Sequence, residues 1–336
     1  MLRFRTAAVA CAAILGVVPT LARAAPGDLL QTFRNPTLSI NDRFGRSVAA
    51  VGNKILVGAS WDDTGAEDAG AAYLFDAATG DLLQTFRNPT PEDQDSFGHS
   101  VAFVGDNAII GAPGKNFGNE GSGSGYLFDT STGDLIHSFQ NPAPAGVIGL
   151  SVAVLGDNVL VGGSDLFLFD AATGDVLQSF DVPSVVTAVA AIGDDVLVGV
   201  PRDSTVVGRA GAVYLFDVTT GEVVQKFQKP VPIYDDHLGF SIAAVGNNVL
   251  AGAYRDQHGA AYLFDSQTGE LLQTLRQPEG GSIYEDFFGF SVAVFGDNAL
   301  VGAPHDGYDG IVIARGIKSS LSSAKLVHPR GAVAGS

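Results

Sequence analysis

One phrase recurs along the chain. "RFGRSVAAVGNKILVGAS" begins at Arg43, "SFGHSVAFVGDNAIIGAP" at Ser96 and "FFGFSVAVFGDNALVGAP" at Phe287. A second phrase, "GDLLQTFRNP", starts at Gly27 and returns unchanged at Gly80, with variants from Gly133, Gly174, Gly221 and Gly269. The intervals are 53, 53, 41, 47 and 48 residues. Repeats of this length are single supersecondary units that bury their apolar faces only against neighbours, and this spacing is that of propeller blades. The repeat constrains the fold more than the length of 336 residues does, since that length would also admit two ordinary domains.

Each unit holds four short apolar runs. In the second these are "LLQTFRN", "SVAFVG", "NAIIGA" and "GYLFD", rich in Val, Ile, Leu and Phe with little polar alternation. That pattern predicts strands covered on both faces. "GDN" between the second and third runs predicts a tight hairpin, because Gly, Asn and Asp tolerate positive φ. Asp76, Asp129, Asp170, Asp217 and Asp265 recur after the last run of a unit. Aligned acids of this kind suggest catalysis, but an aspartate opening a turn caps backbone N–H groups, and that assignment fits all five. The proline closing each "RNP"-like segment ends a strand, as it cannot donate to a ladder.

"FG" followed by "GAP", as in Phe97-Gly98 and then Gly111-Ala112-Pro113, resembles the FG-GAP repeat of integrin α-subunit propellers and of many secreted bacterial proteins. The resemblance runs from about Gly27 to Gly316. The third unit departs from it with Ile148-Gly149 and the fourth with Val185-Val186, and only the second and sixth carry a complete "GAP". It implies an all-β β-propeller in which the repeated Phe and Gly are packing and turn residues. Integrin-type propellers have seven blades, which is the alternative count. Here six "LLQTF"-type strands precede six sets of three, and the first of them, Leu29 to Asn35, has no set before it. Pairing that strand with the last set, Ser291 to Gly316, closes six four-stranded blades over residues 25–316.

Integrin-type repeats also hold calcium in long first hairpins. The hairpins here, such as "VGNK" and "VGDN", are too short to converge six to eight oxygens. No metal and no cofactor are therefore expected. "AYLFDAATGDLLQTF" is similar to quinoprotein repeats as well, but Gln84, His137, Gln178, Gln225 and Gln273 stand near the place of their tryptophan, which argues against a quinone site.

Arg3 and Arg5, an apolar run through residue 19, and Ala22 and Ala24 in small-x-small spacing read as a signal peptide over residues 1–24. A secreted or periplasmic protein is the expectation. Cys11, the only cysteine, lies inside that run, so the mature chain forms no disulfide. The net charge of −17 argues against nucleic acid as a partner, and no second apolar run is long enough for membrane insertion. A monomer is expected, with residues 317–336 a disordered tail.

Strand alternation puts the short turns on one face of the ring and the long connections on the other, where loops on a rigid scaffold carry binding. Tyr73, Tyr126, Tyr214 and Tyr262 share one strand position and are assigned to the core. The long-loop face gathers Tyr234, Asp235, Asp236, His237 and Tyr254 in the fifth unit, and Tyr284, Asp286, His305, Asp306 and Tyr308 in the sixth. Trp61, Asp62 and Asp63 of the first unit adjoin them once the ring closes. Aromatics beside acids suit stacking and hydrogen bonding to a protein or carbohydrate ligand. With no H-E-x-x-H, G-x-S-x-G or nucleotide motif present, the expected function is non-enzymatic binding through this face. The alternative is a carbohydrate-active enzyme, a polysaccharide lyase or hydrolase, using the carboxylates and histidines of the same patch.

Overall fold

The computed structural model describes residues 31–37, 41–114, 123–142, 146–277, 287–295, 298–304 and 311–316. All regular elements among them are strands, in six antiparallel sheets. Blade 1 holds β1 (Phe44–Val51), β2 (Lys54–Ala59), β3 (Ala71–Asp76) and β4 (Leu82–Arg87). Blade 2 holds β5 (Ser100–Val104), β6 (Asn107–Ala112), β7 (Ser124–Phe128) and β8 (Leu135–Gln140). Blade 3 holds β9 (Ser151–Leu155), β10 (Asn158–Gly162), β11 (Leu166–Asp170) and β12 (Val176–Phe180). Blade 4 holds β13 (Ala188–Ile192), β14 (Asp195–Val200), β15 (Ala212–Phe216) and β16 (Val223–Phe227). Blade 5 holds β17 (Ser241–Val245), β18 (Asn248–Ala253), β19 (Ala260–Asp265) and β20 (Leu271–Leu275). Blade 6 shows three strands, β21 (Ser291–Phe295), β22 (Asn298–Ala303) and β23 (Ile311–Gly316). Strands pair in chain order within every sheet, and the first strands of successive blades run side by side. The "LLQTF" strand is thus the outer, fourth strand of a blade that begins at "FG".

Turn chemistry sets the short-loop face. Val51 pairs with Lys54, which leaves only Gly52 and Asn53 to reverse the chain. In the other short turn Asp76 accepts the N–H groups of Ala78 and Thr79 at 2.9 and 2.8 Å, and Gly80 N–H returns to the Asp76 carbonyl at 2.9 Å. Asp129, Asp170, Asp217 and Asp265 accept in the same way. At Asp76, Asp170 and Asp265 these backbone donors hold the carboxyl below the usual carboxylate range. The recurring acids are turn caps.

The core lies between blades, which is why the strands are apolar on both faces. Leu56, Leu74 and Phe86 of blade 1 meet Ala108, Ile110 and Phe128 of blade 2 beneath Phe97. The outer-strand phenylalanine of one blade touches the third-strand phenylalanine of the next four times over: Phe86–Phe128 at 5.2 Å, Phe139–Phe169 at 5.0 Å, Phe180–Phe216 at 5.5 Å and Phe227–Phe264 at 5.7 Å. Phe33 repeats the contact with Phe75 of blade 1 at 5.4 Å. Gln31 donates to the Thr79 carbonyl at 3.1 Å, as Gln84 does to Thr132 at 3.3 Å. Residues 31–37 therefore stand against blade 1 as β4 stands against blade 2. The expected pairing of residues 29–35 with the last set, which would complete blade 6, falls partly outside the described residues, as do residues 1–24 and 317–336.

The "FG" phrase is the seam between blades. Phe97 N–H donates to Ala69 O of the preceding blade at 2.9 Å, and Gly70 and Phe97 form a parallel bridge. Ser47 of blade 1 donates to Gly98 O at 2.9 Å, and Ser241 of blade 5 to Gly289 O at 3.0 Å. Backbone packs on backbone here. A Cβ on Gly98 would lie 2.3 Å from Ala71 O, and one on Gly58, the glycine of "VGA", 2.0 Å from Gly98 O. Gly98 also has φ +85, a region costly for any side chain. Blade 4 has Val186 where the others have this glycine, and there a Cβ on Gly162 of blade 3 would lie 3.3 Å from the Val186 side chain.

Gly98→Ala is accordingly expected to destabilise the fold by about 3 kcal/mol, from clash and strain together. Gly105→Asn is its control: this hairpin glycine has φ +56 but open space around it, and Asn tolerates that conformation, so the cost should stay under about 1 kcal/mol. Denaturant titration of the two variants measures the difference.

Candidate functional site

On the opposite face, the loops that follow "GA" are built from inside. Asp62, Asp203 and Asp256 each stand four residues after the glycine of that phrase and are buried. Their carboxylates accept the hydroxyls of Tyr73, Tyr214 and Tyr262 from the third strand of the same blade. The phenols are pushed well above their usual range, burial first and the facing carboxylate next. Asp62 also accepts Thr64 N–H at 2.9 Å, and Asp203 accepts Thr205 N–H at 2.7 Å. Each loop is thereby stapled to its own blade.

The connection entering blade 5 lies on that platform. Its residues Asp235 and Leu238 donate backbone N–H groups to Gly208 O and Ala210 O of blade 4, both at 3.0 Å. Asp235 and His237 take φ values of 67 and 60, which turn their side chains to one place. His237 Nε2–H donates to Asp235 at 3.0 Å, and its Nδ1 accepts the Tyr254 hydroxyl at 3.0 Å. Arg255 also donates to Asp235. Burial opposes the Asp235 charge, but Arg255 and His237 outweigh it and hold that carboxyl below the usual range. Burial lowers the His237 pKa despite Asp235. The Tyr254 ring is fixed by Phe240 at 4.6 Å and Phe290 at 5.5 Å.

His237, Phe240 and Tyr254 form one wall of a cavity of about 200 Å³. Blade 3 contributes Val147, Leu150 and Ser164, and blade 4 contributes Val185, Thr187, Pro201 and Arg202. The lining is mostly apolar, with Ser164, Thr187, Arg202, His237 and Tyr254 as its polar members. A smaller hollow of about 120 Å³ lies between blades 5 and 6, against Tyr234, Asp235, Arg255 and Phe287.

The structure brings together Tyr234, Asp235, His237 and Tyr254 of the expected residues. Tyr234 is 67% exposed, its ring over Gly208. Asp236 points inward instead, 2% exposed and paired with Lys229 at 2.7 Å. Asp62 is likewise internal, and Asp63 accepts Asp68 N–H at 2.9 Å. Trp61 carries the Arg43 guanidinium 3.1 Å above its ring. These blade 1 residues share no hydrogen bond, ion pair or ring contact with blade 5 among the described residues. Tyr284, Asp286, His305, Asp306 and Tyr308 lie outside the described residues. Among those described, no three His, Cys, Asp or Glu side chains converge as a metal cluster.

Sequence reasoning passed over the variable position inside the constant "FGxS" phrase. Arg46, His99, Leu150, Thr187, Phe240 and Phe290 occupy it in successive blades, and they form a chain of neighbours. Arg46 Nη2 donates to His99 Nε2 at 3.0 Å, and His99 Nδ1–H donates to Leu150 O at 3.0 Å. Thr187 donates to Phe240 O at 3.2 Å, and Phe240 meets Phe290 at 4.8 Å. A position that varies where everything around it repeats was the available signal.

His99 gives this chain of neighbours a pH dependence. Burial, then the Arg46 charge, lowers its pKa to about 4. The folded protein favours neutral His99, while the unfolded chain takes up the proton near pH 6.5. The stability that His99 contributes is thus intact above about pH 6.5 and is lost as pH falls toward about 4, with His237 acting in the same direction. Thermal melts across that range should fall less steeply for His99→Gln than for the native protein.

A family model of the FG-GAP repeat matches residues 39–75, 91–128 and 282–312. No curated protein is found similar to the chain in sequence. Among solved structures, the WD40 β-propeller domain of Doa1 superposes with a TM-score of 0.57 at 16% identity, over 81% of this chain and 79% of that one. The computationally designed Ika8 protein does so with a TM-score of 0.56 at 20% identity, over 81% of this chain and 70% of that one. At these identities the likeness is one of fold. No helix of the described residues is long and apolar enough to cross a membrane. With three matched repeats and the seam that their Phe, Gly and Ser residues build between blades, the chain is a β-propeller that carries FG-GAP repeats.

Proposed function

We propose that the protein is a secreted, non-enzymatic propeller that binds a protein or glycan partner through its long-loop face. The cavity assembled from the loops of blades 3, 4 and 5 carries this reading. Its volume of about 200 Å³ is below the ~300–1,000 Å³ of pockets for drug-sized molecules, and it suits one side chain or one sugar ring of a larger partner. Val147, Leu150, Val185 and Phe240 favour an apolar group there. Exposed Tyr234 lines the second hollow, which shares Tyr254 with this cavity, and offers a flat surface of the amphipathic kind that anchors interfaces.

The Asp235–His237–Tyr254 relay favours a second reading. An oriented imidazole behind a phenol, with Arg202 and Arg255 near, is a fitting acid–base pair for a polysaccharide lyase acting on an acidic sugar. A hydrolase would instead need two carboxylates across a cleft.

A screen of glycans and protein fragments against the full chain tests both. A ligand is expected whose affinity falls at least tenfold, about 1.4 kcal/mol, in Val185→Trp, which fills the cavity, and in Tyr234→Ala. A ligand indifferent to both changes would remove the assignment to this face. Release of an unsaturated sugar product, abolished by Tyr254→Phe, would establish the lyase in place of the binder.

A further inference from the structure

The stapling aspartates come in three electrostatic settings. In blade 4, Lys226 lies 2.8 Å from Asp203. In blade 5, buried Lys229 bridges Asp236 at 2.7 Å and Asp256 at 3.1 Å, and Arg276 reaches Asp256 at 3.1 Å. Both sets of acids are neutralised, as buried carboxylates require.

Blade 1 has the same acids, and neither makes an ion pair among the described residues. Asp42 stands where Asp236 does, two residues before the seam phenylalanine or leucine, and it is 3% exposed. Asp62 stands where Asp256 does and is fully buried. Asn35, before Pro36, holds the place that Lys229 holds before Pro230. Its amide donates to Asp42 at 2.6 Å but brings no charge. Arg87, in the position of Arg276, acts on the Tyr73 hydroxyl through its charge but makes no ion pair among the described residues, and the Arg43 guanidinium lies over Trp61.

Hydrogen bonding is short of protons at the same place. The Thr37 hydroxyl has one proton, yet three oxygen acceptors surround it: Asp42 at 2.7 Å, Asn35 Oδ1 at 2.9 Å and Asp62 at 3.1 Å. Asp42 Oδ1 and Ser60 Oγ are buried with no protein partner. Ser60 precedes Trp61, whose N–H donates to the Asp42 carbonyl at 3.1 Å, so it adjoins the cluster. Two carboxylates, two hydroxyls and an amide oxygen with surplus lone pairs make an all-oxygen donor set of charge −2.

We propose that Asp42 and Asp62, with Thr37, Asn35 and Ser60, bind one hard divalent cation of the calcium type. It would do in blade 1 what the Lys229 ammonium does in blade 5. An oxygen-only set with two charges selects such an ion over softer transition metals. The site tethers residues 35–37 to the two loops of blade 1 and lies apart from the short hairpins.

The test compares the chelator-stripped full chain with its Asn35→Lys variant, which places the blade 5 ammonium in blade 1. Calorimetric titration of the native chain with calcium and magnesium should give one saturable site and a raised melting temperature. Terbium, an oxygen-seeking calcium mimic, should luminesce on excitation of Trp61, the only tryptophan and the neighbour of Asp62. Asn35→Lys should lose binding while melting, without metal, at or above the stripped native chain. Asp42→Asn should weaken binding at least 100-fold. No saturable binding of any of the three ions, or binding unchanged by Asn35→Lys, overturns the proposal. The lysine variant decides the matter even where Asp42→Asn does not fold.

Discussion

The close approach of one blade's backbone to the next, at the glycines of "FG" and "VGA", sets the geometry on which the other contacts depend. Gly98 meets Ala71 O and Gly58 meets Gly98 O at distances that admit no side chain. That approach brings the Phe97 N–H to Ala69 O and the Ser47 hydroxyl to Gly98 O. It also sets the depth at which Phe86 and Phe128 interdigitate. Apolar burial supplies most of the stabilisation in such an array, but it is indifferent to small rotations. The backbone seam converts that burial into one blade angle. Where Val186 replaces the glycine, its N–H still donates to Gly163 O of blade 3 at 2.6 Å, so a backbone bond holds that seam as well.

A second layer of control works through buried charge. Long loops on a propeller face would be mobile if only their ends were held. Here each described "GA" loop that carries the aspartate sends it down to a third-strand tyrosine. A buried carboxylate needs donors and a counter-charge, and the chain supplies them in different ways: from the outer strand through Lys226, and from the entering connection through Lys229. Because Lys229 also holds Asp236, the connection that carries Asp235 and His237 is tied to the loop that carries Tyr254. The relay in the cavity wall therefore rests on an ion-pair network that joins its two loops.

How much of this was legible in the chain differs from one feature to the next. Repeat period, two-faced strands and the turn role of Asp76 and its equivalents could be read directly, because each depends on residues close in sequence. The long-loop face was legible too, as strand alternation alone decides it. Asp62 and Asp236 were read as surface acids, since a carboxylate beside Trp61 or Tyr234 looks solvent-facing when only neighbours in sequence are known. Their true partners, Tyr73 and Lys229, are 11 and 7 residues away and are aligned by the register of the sheet. An aspartate recurring four residues after the second-strand glycine, at Asp62, Asp203 and Asp256, was the overlooked clue.

By itself, then, the amino-acid order determined the repeat, the strand pattern, the short turns and the seam residues, because hydrophobic periodicity and backbone preferences act locally. Only the tertiary structure decided which polar groups meet. The cavity draws on loops from three blades, and Arg46, His99, Leu150, Thr187, Phe240 and Phe290 become neighbours although 37 to 53 residues separate successive members in sequence. Their meeting depends on blade angle and strand register, which are settled by packing between units and leave no mark in any single one.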